Sequence, residues 1–359
     1  MKEGSKAVLG FMACMHFLVD ALCAFAMFRV FREQDNWYWM LLLYNLCAFA
    51  LQMPLGVCLD GISKGECTGR KYGYAVVCAA AGVVVTLSGT VSHVLVLGIG
   101  NALFHVGAGV GIIHETYSGK KVCSRLGVFV APGAAGLFLG KSCSHLETGY
   151  VIAAVCAVLL LVLTGVLLYS GKIYRIEERI EPEKRDSRKT DSKRTGLLWA
   201  AVCCFMVVVI RSYVGMMVSF PWNNRLLTGI CCTAAVVAGK AAGGILADRF
   251  GLKKTMVASL GLAAVFYLFS SYFAAGVLAL FFFNMTMPLT LYLLWNQMRE
   301  QPGFAFGMLT FALFIGFLPV YFQMAPPMDF WLTGSLGSVV SLILLAAVQR
   351  GGMHGKISV

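Results

Sequence analysis

Long apolar runs, each close to the length of a membrane-spanning helix, follow one another along almost the whole chain. A transmembrane helix needs about 20 mainly apolar residues, and twelve segments of the chain meet this requirement. Several neighbouring segments are separated by only a few polar residues, which predicts an all-α polytopic membrane protein. The predicted transmembrane helices cover residues 7–29, 37–56, 72–90, 94–114, 126–143, 149–171, 196–219, 226–246, 255–272, 276–296, 303–322 and 330–348.

One polar interval divides the predicted helices into two groups of six. Residues 172–195 carry many charges of both signs and almost no apolar side chains, which indicates a solvated linker. A short surface helix is the alternative interpretation of this interval. The sequence therefore predicts an N-terminal six-helix bundle at residues 1–171, a charged linker at 172–195 and a C-terminal six-helix bundle at 196–359.

Composition agrees with a membrane protein, and the distribution of charge predicts its orientation. The 359 residues are 59% hydrophobic and 13% charged, whereas soluble domains average about 45–50% apolar and 25% charged residues. With a cytoplasmic N-terminus, most of the 29 Lys and Arg residues fall in cytoplasmic loops, tails and linker, as the positive-inside rule requires. The net charge of +12 is therefore a signal of topology and not of nucleic-acid binding. We expect both termini in the cytoplasm and the protein in a bacterial plasma (inner) membrane.

A charged turn follows the eighth predicted helix. The segment Gly244–Lys254 reads Gly-Ile-Leu-Ala-Asp-Arg-Phe-Gly-Leu-Lys-Lys and is called here the second gate turn. Its aspartate, Asp248, lies at the C-terminal end of a helix, where the helix dipole is negative. The carboxylate therefore needs a cationic partner, and Arg249, Lys253 and Lys254 are available.

A diverged copy of this turn follows the second predicted helix. Gly56-Val-Cys-Leu-Asp60 repeats the glycine and the aspartate, and Arg70 and Lys71 supply the cations further on. This segment, Gly56–Lys71, is called the first gate turn. Two copies indicate a duplicated chain, and we expect them to form a gate at the cytoplasmic face. The predicted gate residues are Asp60, Arg70, Asp248, Arg249 and Lys253.

A small set of polar residues lies inside the apolar helices. A charged side chain at the middle of a bilayer costs about 2.5–3.5 kcal/mol on insertion scales, so such residues usually have a function. Histidine and aspartate four positions apart share one helix face, and histidine titrates near neutral pH. The candidates for binding a substrate or protons are His16 and Asp20 in helix 1, Asn101 and His105 in helix 4, Arg211 in helix 7 and Asn284 in helix 10.

Structural roles remain open for each of these residues. Asp20 precedes Asp60 by 40 residues and Arg211 precedes Asp248 by 37, so the two charges occupy similar depths in the two halves. They could form a static buried ion pair or face one substrate together. The histidines could be satisfied by backbone groups of neighbouring helices, and the asparagines could join helices by hydrogen bonds.

The arrangement of two six-helix halves, each with a gate turn after its second helix, resembles the major facilitator superfamily. The second gate turn matches the pattern G-x-x-x-D-R-x-G-x-[RK]-[RK] of that family, whereas the first has Gly61 at the first basic position and an insertion before Gly69-Arg70-Lys71. This resemblance implies a transporter in which helices 1, 4, 7 and 10 line the substrate cavity. Those are the helices that carry the polar candidates.

Two further patterns are similar to particular branches of this family. His16-x-x-x-Asp20 and Leu-Phe-His105 resemble fosmidomycin-resistance-type facilitators, although Val106 stands where those proteins usually have proline. Residues 127–140, which are rich in glycine and contain Pro132, resemble the fifth helix of drug–proton antiporters without its full G-P-x-x-G-G motif. The alternative for this segment is close helix packing through Gly136 and Gly140.

The sequence therefore predicts a secondary active transporter and not an enzyme. No nucleotide-binding loop, G-x-S-x-G or H-E-x-x-H motif occurs, and the 13 cysteines show no CxxC pair. We expect no cofactor and no metal; the expected partners are a small organic solute, protons and the lipid bilayer. Export of an organic compound and uptake of a small organic anion are both open, and we expect a monomer. The alternative function is a membrane sensor or scaffold that does not transport.

Overall fold

A computed structural model describes residues 3–116, 121–180, 194–324 and 326–354, and within these ranges the chain forms helices and no β-strand. Two short stretches, Ala26–Phe31 and Leu46–Ala50, are π-helical. The α-helices are α1 (Glu3–Phe25), α2 (Trp37–Asn45), α3 (Gln52–Ile62), α4 (Thr68–Gly89), α5 (Val94–Thr116), α6 (Val122–Val130), α7 (Gly133–Cys143), α8 (Gly149–Ile180), α9 (Arg194–Met217), α10 (Leu226–Phe250), α11 (Leu252–Leu268), α12 (Phe273–Asn284), α13 (Thr286–Gln297), α14 (Pro302–Tyr321) and α15 (Phe330–His354).

Each predicted transmembrane segment coincides with one helix or with consecutive helices in the described part of the chain. Eleven of the resulting segments are long and apolar enough to cross a membrane. The segment at α11 has 17 residues, which is slightly shorter than a typical span. The prediction of an all-helical, multi-pass membrane protein is confirmed.

Two of the segments are interrupted near their centres. Helices α6 and α7 are separated at Ala131 and Pro132, and helices α12 and α13 at Met285. Proline has no N–H to donate and its ring displaces the preceding turn of a helix, which explains the break before α7. Pro288 lies in the first turn of α13, where a missing N–H leaves no helix hydrogen bond unmade.

The first part of the predicted linker is helical and not an irregular segment. Helix α8 continues to Ile180, and α9 begins at Arg194, so the charged sequence that follows Gly171 begins as helix. The remainder of the predicted linker, residues 181–193, lies outside the described residues. Propensity explains the extension, since Lys, Arg and Glu are good helix formers and continue a long apolar helix without a breaker.

Close packing of α1 against α7 positions the polar residues of the first span. A Cβ atom at Gly136 would lie 2.2 Å from the carbonyl oxygen of Phe17, and one at Gly140 would lie 2.1 Å from that of Ala21. Only glycine fits at both positions, so the prediction that this pair permits close helix approach is confirmed. The contact holds α7 against the face of α1 that carries Asp20.

Candidate functional site

Four polar residues of α1 and α5 meet in the interior. Asp20 Oδ2 lies 3.3 Å from His16 Nε2, and Asp20 Oδ1 lies 3.5 Å from His105 Nε2. Asn101 Nδ2 lies 3.5 Å from Asp20 Oδ1 and 3.4 Å from the sulfur of Cys23. We call His16, Asp20, Asn101 and His105 the central cluster; all four are among the candidates that the sequence singled out.

The hydrogen bonds of the two histidines define where their protons lie. His16 Nδ1 is 2.8 Å from the carbonyl oxygen of Phe129, and His105 Nδ1 is 2.8 Å from that of Asn101. A carbonyl oxygen only accepts, so both Nδ1 atoms carry hydrogen and donate it. Each Nε2 therefore faces the Asp20 carboxylate, and that contact is attractive only when a proton or another cation lies between the two atoms.

The central cluster is buried and tightly enclosed. His16 and Asp20 are each 7% exposed, Asn101 is 3% exposed and His105 is 9% exposed. A Cβ atom at Gly133, the first residue of α7, would lie 2.5 Å from both Asp20 Oδ2 and His16 Nε2. The break at Pro132 thus brings bare backbone against the cluster. The facing atoms of His16, Asp20 and His105 lie within 4.8 Å of one another, and carboxylate and imidazole groups this close can hold a proton or a metal cation.

The second half of the chain contributes two buried cations. Arg211 on α9 is 9% exposed, and its Nη1 atom is buried without a hydrogen-bond partner. Lys240 on α10 is half-buried and interacts electrostatically with both Arg211 and Asp20. In the described part of the chain, the ion pairs of Asp20 are with the two histidines and not with Arg211. The structure therefore contains no static Asp20–Arg211 pair.

Lys240 is the central residue that sequence reasoning missed. Its backbone packs against Gly127 of α6, where an added Cβ atom would lie 2.7 Å from the Lys240 carbonyl oxygen, and its charge interacts with Asp20 and Arg211. Its position near the middle of the 25-residue α10 was the available signal, because a lysine at that depth is too far from either end to reach water easily.

Asn284 is not brought to the central cluster by any contact among the described residues. Its side-chain nitrogen donates to the carbonyl oxygen of Leu280, 2.9 Å away on the same helix. Asn284 is the last residue of α12, so this bond supports the helix end at the interruption of the tenth span. Its observed role is local.

At the second gate turn, Asp248 reaches across to α6. The backbone N–H of Ser124 donates to Asp248 Oδ2 over 2.7 Å, and the Ser124 hydroxyl donates to the same oxygen over 2.5 Å. The sequence pointed to Arg249, Lys253 or Lys254 as its partner, but no ion pair to them forms among the described residues. The first-turn N–H groups of a helix lack helix acceptors and carry partial positive charge, so α6 supplies the compensation instead.

The first gate turn makes the equivalent contact with α14. The backbone N–H groups of Gly303 and Phe304 donate to the two carboxylate oxygens of Asp60, over 2.9 and 2.8 Å. Arg70 faces outward and pairs with Glu66 at 3.0 Å. Among the described residues, no ion pair joins Asp60 to a basic residue of the third span, although Lys71 interacts with it electrostatically. The helix terminus again supplies the hydrogen bonds.

Glycines let the paired helices touch at both gate turns. Cβ atoms at Gly56 and Gly244 would each lie 2.1 Å from a backbone oxygen of the facing helix, at Gly303 and Cys123 respectively. One turn along α14, Gly307 meets the backbone of Gln52 in the same way. Backbone therefore meets backbone along both contacts, with no side chains between them.

A buried ion pair next to the second gate turn was also missed. Arg125 on α6 pairs with Glu115 near the end of α5, and both side chains are about 5% exposed or less. In the sequence, Arg125 is one of the Lys and Arg residues that the positive-inside rule assigns to the cytoplasmic side. Two consecutive residues of α6 thus make two different contacts. Ser124 binds Asp248 of the second gate turn, and Arg125 binds Glu115 of α5.

The opposite end of α14 is joined to the second span by two tyrosines. The hydroxyl of Tyr38 donates to the carbonyl oxygen of Tyr321 over 2.5 Å, and the hydroxyl of Tyr321 donates to the carbonyl oxygen of Tyr38 over 3.0 Å. The two rings stack with centroids 4.1 Å apart. This second span and α14 are therefore in contact at both ends.

The structure of the chain is similar to that of known proteins, whereas its sequence matches none of those compared. No protein-family model and no curated protein matches the chain. The major facilitator superfamily transporter FucP in its outward conformation superposes with a TM-score of 0.60 at 11% identity, covering 97% of this chain and 99% of that one. The chain has the major facilitator fold.

Two further solved structures agree with the assignment of the major facilitator fold. A variant of the E. coli fucose:proton symporter FucP gives a TM-score of 0.58 at 11% identity, over 96% of this chain and 99% of that chain. A bacterial homologue of the iron transporter ferroportin, in its outward-facing state, gives 0.56 at 10% identity, over 98% and 100%. The resemblance read from the two gate turns is thereby confirmed at the level of fold.

Proposed function

We propose that the protein is a secondary active transporter that moves a small organic solute by alternating access and is driven by protons. The major facilitator fold supports transport, and one of the similar structures is a fucose:proton symporter. The observation that carries proton coupling is the pair of histidine Nε2 atoms facing the Asp20 carboxylate at 3.3 and 3.5 Å.

The central cluster has the chemistry of an exchangeable proton site. Both Nδ1 hydrogens are committed to backbone carbonyls, so a proton that arrives must bind between an Nε2 atom and Asp20. Imidazole and carboxylate groups both bind and release protons, which suits a site that is driven by a proton gradient. The other charged or titratable groups around Asp20 are Lys240 of α10, Cys23 of α1 and Tyr44 of α2, which contacts Cys23.

The gate turns supply the moving part of this proposal. In it, residues 1–171 and 196–359 form two six-helix bundles joined by the linker 172–195, with both termini and both gate turns at the cytoplasmic face. Rocking of the bundles about the central site would give alternating access. Opening to the cytoplasm then requires separation of Asp60 from α14 and of Asp248 from α6.

The contact at Asp60 also bears on the alternative of a sensor or scaffold. That alternative drew support from the divergence of the first gate turn. Because Asp60 keeps two hydrogen bonds to α14, the divergence leaves the gate contact in place, which supports the transporter.

The test is proton movement in liposomes that contain the purified protein and an internal pH dye. A panel of neutral sugars, organic acids and organic cations is added in the presence of EDTA, which excludes metal coupling. At least one solute should move protons with the wild type, and Asp20→Asn should abolish this. Asp329→Asn, a matched change at an exposed site, should retain it. Full proton-coupled transport by Asp20→Asn, a requirement for metal, or proton movement with no solute would overturn the proposal.

A further inference from the structure

Arg211 is a buried cation without a counter-ion. It is 9% exposed, it makes no ion pair among the described residues, and its Nη1 atom lacks an acceptor. An unpaired charge in a low-dielectric interior is strongly unfavourable, and evolution usually retains one only at a site of function. Arginine also remains charged under all physiological conditions, so the cost is not relieved by loss of a proton.

Lys240 places a second cation in the same region. It lies at the contact between α10 and α6 and interacts electrostatically with Arg211. Like Arg211, it makes no ion pair with a carboxylate among the described residues. Two like charges that approach each other in the interior are repulsive unless an anion is shared between them.

The protein itself supplies too little negative charge to balance this pair. Asp20 is the sole carboxylate at mid-depth in any of the apolar segments, since the others lie near helix ends or in connecting segments. Asp20 is engaged by His16, His105 and Asn101, and its single negative charge can offset only one of the two cations. The interior therefore holds an excess of positive charge beside the central cluster.

We propose that Arg211 and Lys240 bind the anionic group of the transported solute, which is a small organic anion. The guanidinium of arginine donates two parallel hydrogen bonds to a carboxylate or to a phosphate group, and lysine adds a point charge. This inference rests on the proposed function, since it names the substrate class of the same transporter. Of the two substrate classes that the sequence left open, it favours the small organic anion over other organic compounds.

The positions of the two sites also determine the sign of coupling. A proton on the central cluster adds positive charge within electrostatic range of Lys240, so it raises the affinity for an anion. By thermodynamic reciprocity the anion raises the affinity for the proton by the same factor. Ligands that favour each other's binding are carried together, whereas exchange in opposite directions requires mutual exclusion. The transporter is therefore a proton–anion symporter.

Binding is measured by thermal shift and by titration on the detergent-purified full chain, at pH 6 and at pH 8. The probes are the sodium salts of acetate, lactate, succinate, citrate and glycerol 3-phosphate, with L-fucose and tetraphenylphosphonium as neutral and cationic comparisons. At least one organic anion should bind several-fold more tightly at pH 6 than at pH 8. The carboxylates and the phosphate ester separate the two kinds of anionic group.

Substitutions then assign the binding to the two cations. Arg211→Gln should weaken binding of that anion about 30-fold or more, Lys240→Gln should weaken it less, and Arg211→Lys should keep part of it. Arg225→Gln, on the exposed end of α10, is the matched control and should change nothing. Without ligand, Arg211→Gln should raise the melting temperature, because it removes an uncompensated buried charge.

Each contrary result is distinct from failure of the proposed function. Binding of L-fucose or tetraphenylphosphonium alone, the absence of anion binding at both pH values, or undiminished binding by Arg211→Gln would overturn the anion site. A lower melting temperature of unliganded Arg211→Gln would assign the arginine a structural role. Proton movement driven by a neutral sugar would contradict the anion site and would remain compatible with proton-driven transport.

Discussion

The two gate turns differ in sequence and agree in structure. The second follows the family pattern from Gly244 to Lys254, whereas the first has lost the first basic position and gained an insertion. Both aspartates nevertheless accept two hydrogen bonds from the first turn of a helix in the other half. The comparison teaches that the two contacts share an aspartate, a glycine four residues before it and a facing helix terminus. Among the described residues, neither aspartate forms an ion pair with a neighbouring cation.

The two turns also differ in their donors. Asp60 receives two backbone N–H groups from α14, while Asp248 receives one backbone N–H and one hydroxyl from Ser124. A side-chain donor can be removed by mutation, and a backbone donor cannot. The second contact is therefore the one whose strength can be adjusted by substitution at the facing helix.

The largest effect is expected from filling the glycine contacts. A leucine at position 56 or 244 would place a Cβ atom 2.1 Å from a backbone oxygen, so Gly56→Leu or Gly244→Leu must force the helices apart. Because the overlap is with rigid backbone, we expect a loss of about 3 kcal/mol or more in unfolding free energy. Amide hydrogen exchange should increase at residues 303–304 in the first variant and at Ser124 in the second.

Gly61→Leu serves as the control for that experiment. Gly61 lies on α3, and a Cβ atom there would meet nothing within 4 Å. Leucine is a better helix former than glycine, so an equal loss of protection in Gly61→Leu would show that the effect arises from any added side chain on α3 and not from the contact.

Neutralising the aspartates should have the next largest effect. It also tests whether the contacts at the two gate turns are independent of each other. Asp60→Asn should increase exchange at the N–H groups of Gly303 and Phe304, and Asp248→Asn at that of Ser124, because charge-assisted acceptors are lost. We expect about 1–3 kcal/mol for each. Each variant should leave the other turn protected. Simultaneous loss of protection at both turns in either variant would contradict two independent contacts.

Removal of the Ser124 hydroxyl should have a smaller effect, confined to the second gate turn. Ser124→Ala keeps the backbone donor and removes one of two bonds to Asp248, so we expect about 0.5–1.5 kcal/mol. Hydrogen exchange at Ser124 provides the measurement. Ser142→Ala on α7 is the matched substitution away from the gate, and a similar change in that variant would argue against a specific bond.

The smallest effect is expected from the basic residues of the turns. Arg70 pairs with Glu66 at the surface, and Arg249 lies over the ring of Phe250. Neither contacts its motif aspartate among the described residues. Arg70→Gln and Arg249→Gln should leave exchange at residues 124, 303 and 304 unchanged. Increased exchange in either variant would restore the direct role in the gate that the sequence suggested.

Hydrophobic patterning predicted the helices well because span length and apolarity are local properties. The polar positions in helices 1 and 4 were also visible, since His16 and Asp20 share a helix face by spacing alone. What joins them to Asn101 and His105 is the rotation of α5 about its axis, which no local pattern specifies. Similar depth likewise suggested an Asp20–Arg211 pair, but Asp20 pairs with the two histidines and not with Arg211.

The partners of the gate residues were hidden for a related reason. Nothing in the local sequence distinguishes Ser124 from other serines. Its N–H is free to bind Asp248 because Ser124 lies in the first turn of α6. No spacing pattern in the sequence joins Arg125 to Glu115, because the two residues lie on different helices, α6 and α5. Among these residues, only Lys240 could have been recognised from the sequence, because it lies near the middle of an apolar helix.

The bare backbone contacts at Gly56, Gly303 and Gly307 affect how fast such a protein can switch. Interlocked side chains must change rotamer before two helices separate, and each rearrangement adds to the activation barrier. Two flat backbone surfaces can slide or part without that step, so the barrier is dominated by the few hydrogen bonds to Asp60. In the proposed transporter, this contact would therefore open with little internal friction, and the rate of such a conformational step can limit turnover.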